Sequence, residues 1–237
     1  MKKIEIKLKN NINDLNLNVL RADVLIHSGE VTEPTALISD SFSISENDNK
    51  TIIEENLVGK SKIRKFKVYE GKRISEKYII KKGYDDSHII DDLIEIIFPQ
   101  NYSELNLNID GTSSNITIEN LVFNKLVIDN MNGDITLTDV NFLEGKIDTM
   151  DGDVVLKDVD FLDSKIETMS GDVHAEIRNY MDNFIKTFYT MSGDITFEDM
   201  DNSKNHVLDK NVNKEKSKLE IETMSGDIKV LFKGMIK

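Results

Sequence analysis

Five aspartates, Asp134, Asp153, Asp172, Asp194 and Asp227, each follow a glycine in one recurring phrase, and carboxylates repeated at a regular interval are the residues here best placed to do chemistry. The phrase is fullest as Glu167-Thr168-Met169-Ser170-Gly171-Asp172-Val173. Carboxylates stacked side by side repel one another, so each must accept hydrogen bonds from backbone donors or share a cation with its neighbours. A cation ladder is one reading. Calcium-binding β-rolls also repeat Gly and Asp, but their nonapeptide period and paired glycines are missing here. The preferred reading is structural: Gly133, Gly152, Gly171, Gly193 and Gly226 permit a tight corner, and the adjacent Asp accepts N–H groups exposed by the turn.

Other chemistry finds less support. The histidines, His27, His88, His174 and His206, are scattered, and none stands in a zinc-protease or nucleophile-elbow context. There is no glycine-rich phosphate loop, and without cysteine there is neither a disulfide nor a thiolate site. Asp85, Asp86, His88, Asp91 and Asp92 lack a ligand spacing and read as a polar loop. Asp129, Asp148, Glu167 and Glu222 form a second acidic column, read as a solvated outward face. Paired carboxylates on a β-helix can cleave carbohydrate, which leaves a carbohydrate-active enzyme as the alternative; the aromatic or basic groove such enzymes use is not found. The expectation is a non-catalytic protein without cofactor.

The elements that must carry these columns follow from the period. Met131, Met150, Met169, Met191 and Met224 are 19, 19, 22 and 33 residues apart. A fixed period with growing insertions predicts an all-β parallel β-helix, or solenoid, of about 19-residue rungs. Within a rung the apolar residues are assigned inward: Ile147, Met150, Val154, Leu156, Val159 and Phe161, with Phe188, Met191, Ile195 and Phe197 continuing the columns later. Methionine is thus expected to fill the interior. The segment 199–218, rich in Asn, Lys and Asp, reads as a loop outside the core.

Upstream, Leu15-Asn16-Leu17-Asn18 returns as Leu105-Asn106-Leu107-Asn108, so one local structure is expected twice. Ala22-Asp23-Val24 and Ser114-Asn115-Ile116 read as worn copies of the corner. Phe42 to Ile53 reads as a hairpin around Asn47-Asp48-Asn49, and residues 62–80 as a strand pair split by Glu70-Gly71-Lys72. Residues 60–82 hold ten basic and two acidic side chains. The plain explanation is an edge hairpin protected by lysines; the functional one is a patch for an anionic partner, using Lys62, Arg64, Lys65, Lys67, Lys72 and Arg73. The chain thus divides into a β-rich N-terminal cap, 1–90, and the solenoid, 91–237.

Net charge is -13. Residues 1–100 carry 16 Lys and Arg against 17 Asp and Glu, and residues 101–237 carry 14 against 26, so the repeats hold the excess acid and do not suit nucleic acid. No apolar run follows the basic start, so no signal peptide is read and the expected location is the cytoplasm, with envelope association as the other option. No window reaches the roughly 20 apolar residues of a membrane span. Leu231 to Lys237 is apolar enough to close the last rung or to pair with a second chain, giving a homodimer through the C-terminal end.

The Thr-Met-Ser-Gly-Asp-Ile/Val phrase at 168–173, 190–195 and 223–228, preceded by Ile94-Glu95-Ile96-Ile97-Phe98-Pro99, resembles the bacterial "putative adhesin" family of unknown function (DUF4097), which includes LiaX-type proteins of the Gram-positive envelope-stress response. The resemblance implies a β-solenoid that binds or scaffolds, its partner a protein or an envelope polymer. It brings no catalytic residues to carry over.

Overall fold

The structure, a computed structural model, describes residues 4–39, 41–56, 63–70, 73–80, 93–200 and 216–234. The N-terminal part contributes β1 (Ile4–Lys7), β2 (Asp14–Val19), β3 (Asp23–Gly29), β4 (Thr35–Ile38), β5 (Phe42–Glu46), β6 (Lys50–Glu55), β7 (Ile63–Glu70), β8 (Arg73–Ile80) and β9 (Leu93–Pro99). The repeats supply β10 (Leu105–Ser113), β11 (Ile116–Asn132), β12 (Ile135–Asp151), β13 (Val154–Ser170) and β14 (Val173–Ile177). A 3-10 turn at Met181–Asn183 leads into β15 (Phe184–Ser192), β16 (Ile195–Asp199), β17 (Ser217–Ser225) and β18 (Ile228–Phe232). The fold is an all-β solenoid.

Strands β10 to β13 pair in parallel, each residue of a repeat beside its equivalent: Ile147 lies between Ile128 and Ile166, and Phe142 between Phe123 and Phe161. Burial shows how one rung is folded. In β12 and the start of β13, the buried residues are Ile135 and Leu137, then Val140 and Phe142, then Ile147 and Thr149, then Val154. A step of two marks a flat face; each longer step marks a corner where the chain swings round the core. Each rung therefore has three faces and three corners. One corner uses a residue in the left-handed region, Asn120, Asp139 and Asp158 in successive rungs, with φ of 55°, 51° and 53°. Asn and Asp tolerate that conformation better than other residues with a Cβ. Another corner is the Gly-Asp phrase.

The methionine assignment is corrected by this parity. Counting by two from Ile147 puts Thr149 inside and Met150 outside, and the five repeat methionines are 44–65% exposed. The interior column at this place is Asn130, Thr149, Thr168 and Thr223, all buried, with Thr190 ending it by donating to the Gly226 carbonyl at 3.1 Å. Asn130 starts the column by donating its amide to the carbonyls of Ser114, Asn132 and Gly133. The hydroxyls of Thr149, Thr168 and Thr223 have no hydrogen-bond partner in the structure.

The stack does not follow chain order. Beyond the third full rung, β13 pairs with β17 and β17 with β15, while β14 pairs with β18 and β18 with β16. The fifth copy of the phrase is thus inserted between the third and the fourth. Lys233, just after β18, locks the insertion with Nζ 2.9 Å from Asp158 and 2.5 Å from Glu176. That ammonium holds the Glu176 carboxyl below the usual carboxylate range. Leu231 to Gly234 therefore do not close the stack, and among the described residues β15 and β16 are outermost. Ile195 and Phe197, assigned to the interior, are 39% and 52% exposed for that reason, and Phe188 is half-buried.

At the other end, the two related strands are neighbours: β2 lies in parallel beside β10, with Leu15 opposite Leu107. β3 continues the next face beside β11, and β9 lies on its other side. The hairpins β5–β6 and β7–β8 are antiparallel, as is β4 against β1 and β9. One apolar core runs through both parts, from Leu15, Ile26 and Phe98 to Ile166 and Ile228. The bend between β2 and β3 is held by a residue the sequence did not single out: Glu55 accepts the backbone N–H groups of Leu20, Arg21 and Ala22 at 2.7, 2.9 and 3.1 Å.

Two outcomes are expected in urea unfolding. Replacing Thr149, Thr168 and Thr223 together by Val, which keeps the shape and removes unpartnered hydroxyls, leaves stability unchanged or raises it, whereas truncating a bonded buried group costs about 1–3 kcal/mol. Glu55→Ala belongs to the second class and lowers stability by about 1–3 kcal/mol, since it strands three backbone donors.

Candidate functional site at the repeated corner

The Gly-Asp corner is built from a conflict in hydrogen-bond direction. Along the faces, backbone groups of adjacent rungs pair regularly, and at the corner Gly133 N–H and Ile135 N–H both donate forward, to Asp151 and Asp153 carbonyls of the next rung. The Asp between them faces the other way. Its N–H would be left without a backbone acceptor, and the carboxylate one rung earlier accepts it: Asp153 N–H to Asp134 Oδ1 at 2.9 Å, Asp172 N–H to Asp153 at 2.8 Å, Asp227 N–H to Asp172 at 2.8 Å, Asp194 N–H to Asp227 at 2.8 Å. The worn copies take part, since Asp134 N–H donates to Asn115 Oδ1 at 3.0 Å and Asn115 N–H to Asp23 at 2.9 Å. A ladder of side-chain to backbone bonds thus runs along the whole edge.

The glycine is required by closeness. At Gly152, φ is 146°, and a Cβ built there would stand 2.2 Å from the Gly133 carbonyl oxygen. Gly133, at φ 112°, meets the Ser114 carbonyl oxygen in the same way at 2.4 Å. Gly171, Gly193 and Gly226 occupy the equivalent corners. No group of three or more His, Cys, Asp or Glu that could hold a metal is found among the described residues.

Outside this edge lies the methionine ladder, which the parity of the strands turns to solvent. Its spatial order is Met131, Met150, Met169, Met224, Met191, following the strand register. The last four line an open groove of about 440 Å³, with Asp151, Ser170, Ser225 and Ser192 on its other side. Two residues earlier on the same outward face come Asp129, Asp148, Glu167 and Glu222, interleaved with lysines: Lys146 Nζ is 3.3 Å from Asp148 and 3.8 Å from Glu167, and Lys165 is 3.3 Å from Glu167 and 2.8 Å from Glu220. An apolar ridge therefore runs up the molecule with an acidic column on either side of it.

The remaining sequence candidates do not converge on this edge. His27 lies on β3, its Nε2 3.1 Å from Glu95 and its Nδ1 2.9 Å from the Ser28 carbonyl. Partial burial would lower its pKa, but those two partners together raise it. His174 is 3.6 Å from Glu176, the carboxylate that Lys233 holds. Arg64, Lys65, Lys67 and Arg73 belong to the β7–β8 hairpin, where the backbone of residue 73 lies opposite that of residue 70 and the backbone of residue 67 opposite that of residue 76. Lys62, Lys72, Asp85, Asp86, His88, Asp91, Asp92 and His206 lie outside the described residues, as does most of the segment 199–218.

The ladder makes a specific demand on the aspartate. Asn already serves as acceptor at position 115, so Asp153→Asn is expected to leave the melting temperature nearly unchanged, with or without a chelator. Asp153→Ala, which strands the Asp172 N–H, is expected to cost about 1–3 kcal/mol in urea unfolding. Equal loss in both variants would show that the carboxylate charge, not its acceptor oxygen, is what the corner needs.

Among the described residues no helix is long and apolar enough to cross a membrane. No curated protein matches the chain in sequence. Similar solved structures include a "putative cell adhesion protein" from Clostridium sporogenes, at 11% identity over 98% of this chain and 99% of that one, with a TM-score of 0.46. A "putative adhesin" from Bacteroides fragilis is 12% identical over 97% of both chains, with a TM-score of 0.49. A "putative lipid binding protein" from Parabacteroides distasonis is 10% identical over 98% and 96%, with a TM-score of 0.37. The family model described as Toastrack DUF4097 matches residues 3–231, nearly the whole length, and the chain belongs to that family.

Proposed function

We propose that the protein is a non-catalytic binding scaffold whose contact surface is the methionine edge, and that it works at the bacterial cell envelope. The observation that carries the binding reading is the exposure of five stacked methionines on a chain of net charge -13. Contiguous exposed apolar surface is uncommon on soluble domains and marks interaction sites, and methionine side chains adapt to varied partners. The ridge is long, straight and bordered by carboxylates, so it suits an extended partner with apolar groups flanked by basic ones. The rigid rungs beneath fix the spacing of the contacts before any partner arrives, which lowers the ordering cost of binding. The envelope placement rests on the resemblance to LiaX-type proteins.

Sedimentation with isolated bacterial envelope fractions tests this. The full chain is expected to pellet with the fraction, and Met150→Asp, Met169→Asp and Met224→Asp combined to remain in the supernatant with an unchanged circular dichroism spectrum. Equal pelleting of both proteins would remove the methionine edge from the binding surface. Hydrolysis of a glycan panel by the purified chain would replace the scaffold reading by an enzymatic one.

A further inference from the structure

We infer that the methionine ladder is a binding site for a soft monovalent cation, Cu(I) or its redox-inert analogue Ag(I), held by thioether sulfurs of successive rungs. This does not rest on the scaffold reading, because it needs the sulfur atoms and not the apolar surface.

The first ground is the choice of residue. Met150, Met169 and Met224 contribute little to the core, since each is close to half exposed, and the positions beside them are filled by Ser, Asp, Glu and Thr. An outward strand position in an acidic protein has no packing reason to be methionine in five copies of the repeat. What separates methionine from leucine at such a place is sulfur, a polarizable donor that remains neutral throughout the ordinary pH range.

The second ground is spacing. Parallel strands set equivalent atoms about 4.8 Å apart, which is close to twice a metal–sulfur bond of roughly 2.3 Å. An ion midway between two stacked thioethers therefore has both at bonding distance, and the three rotatable bonds of methionine let a third sulfur approach from the next rung. Only the spatial order makes the set continuous: Met169 is flanked by Met150 on one side and by Met224, 55 positions away in the chain, on the other. Met191, at 65% exposure, stands at the open end of the row.

The third ground is selectivity. Thioethers favour Cu(I) over hard or borderline ions, which prefer oxygen or imidazole. The chain has no cysteine to compete for a soft ion, and the described residues hold no His, Cys, Asp or Glu cluster for a harder one. Asp151 in the groove offsets the charge that a neutral sulfur set cannot.

The test uses the full chain carrying methyl-13C methionine, titrated with Ag(I) in chloride-free, thiol-free buffer and, separately, with Cu(I) under anaerobic competition by a chromogenic chelator. The methyl resonances of Met150, Met169 and Met224 are expected to shift together while those of Met181 and Met200 stay, and binding is expected to persist from about pH 7 to about pH 5, since no thioether titrates there. The combined Met150→Leu, Met169→Leu and Met224→Leu variant keeps the apolar ridge and is expected to lose the metal while still pelleting with envelope fractions. Binding by that variant equal to wild type, unshifted methyl resonances, or binding that collapses on acidification as a carboxylate site would, each overturns the proposal. The combined Asp variant of the same residues loses envelope binding whether or not the metal site exists, so the two readings fail separately.

Discussion

Everything above the level of a single strand in this protein depends on one backbone N–H that points the wrong way. At the Gly-Asp corner the chain turns so sharply that the aspartate amide faces the preceding rung instead of the following one. Burying or crowding such a donor without an acceptor is costly, and the carboxylate below supplies the acceptor. Each rung is therefore completed by its predecessor, and the glycine that allows the turn also lets two rungs approach at a distance no Cβ would tolerate. The repeat of sequence is the repeat of this one arrangement, and the apolar columns fall into line because the corners do.

That dependence explains why the corner is legible in the chain while the outward side of the neighbouring methionine is not. Gly152 and Asp153 carry strong local signals: a residue free to take positive φ, followed by one able to accept N–H bonds. Asp23 and Asn115 showed the same logic in degraded form, and both stand in the ladder. Met150 carries the general signal of hydrophobicity, which suggests burial and says nothing about which side of a strand it occupies. The alternation from Ile147 places Thr149 inside, and the step of two outweighs the polarity of its side chain. Glu55 gave no signal, because its three donors are more than 30 residues away in the chain.

The stacking order was hidden for a different reason. Equivalent corners are interchangeable in sequence, so the spacings of 22 and 33 residues announce insertions without saying which copy lies beside which. What favours the observed order is a contact made by the inserted rung: Lys233 with Asp158 and Glu176. Phe184 strengthens the join by packing edge-on against Phe161 at 5.4 Å and tilted against Phe232 at 5.5 Å. Lys233 and Arg178 follow the paired residues Phe232 and Ile177, and both bind an aspartate of the left-handed corner, so comparing the copies does not tell which aspartate each takes. The candidate site is affected directly, since the neighbour of Met169 is set by this order.

A solenoid with rungs in chain order can grow as it is made, each new rung settling on the last as the ribosome releases it. Here that simple growth holds only as far as Ile177, the end of β14. The place next to Asp172 belongs to Asp227, which follows Asp194 in the chain, so a later-made rung enters the middle of the stack. Placement of β17 and β18, rather than addition of an outermost rung, is the event that completes this stack.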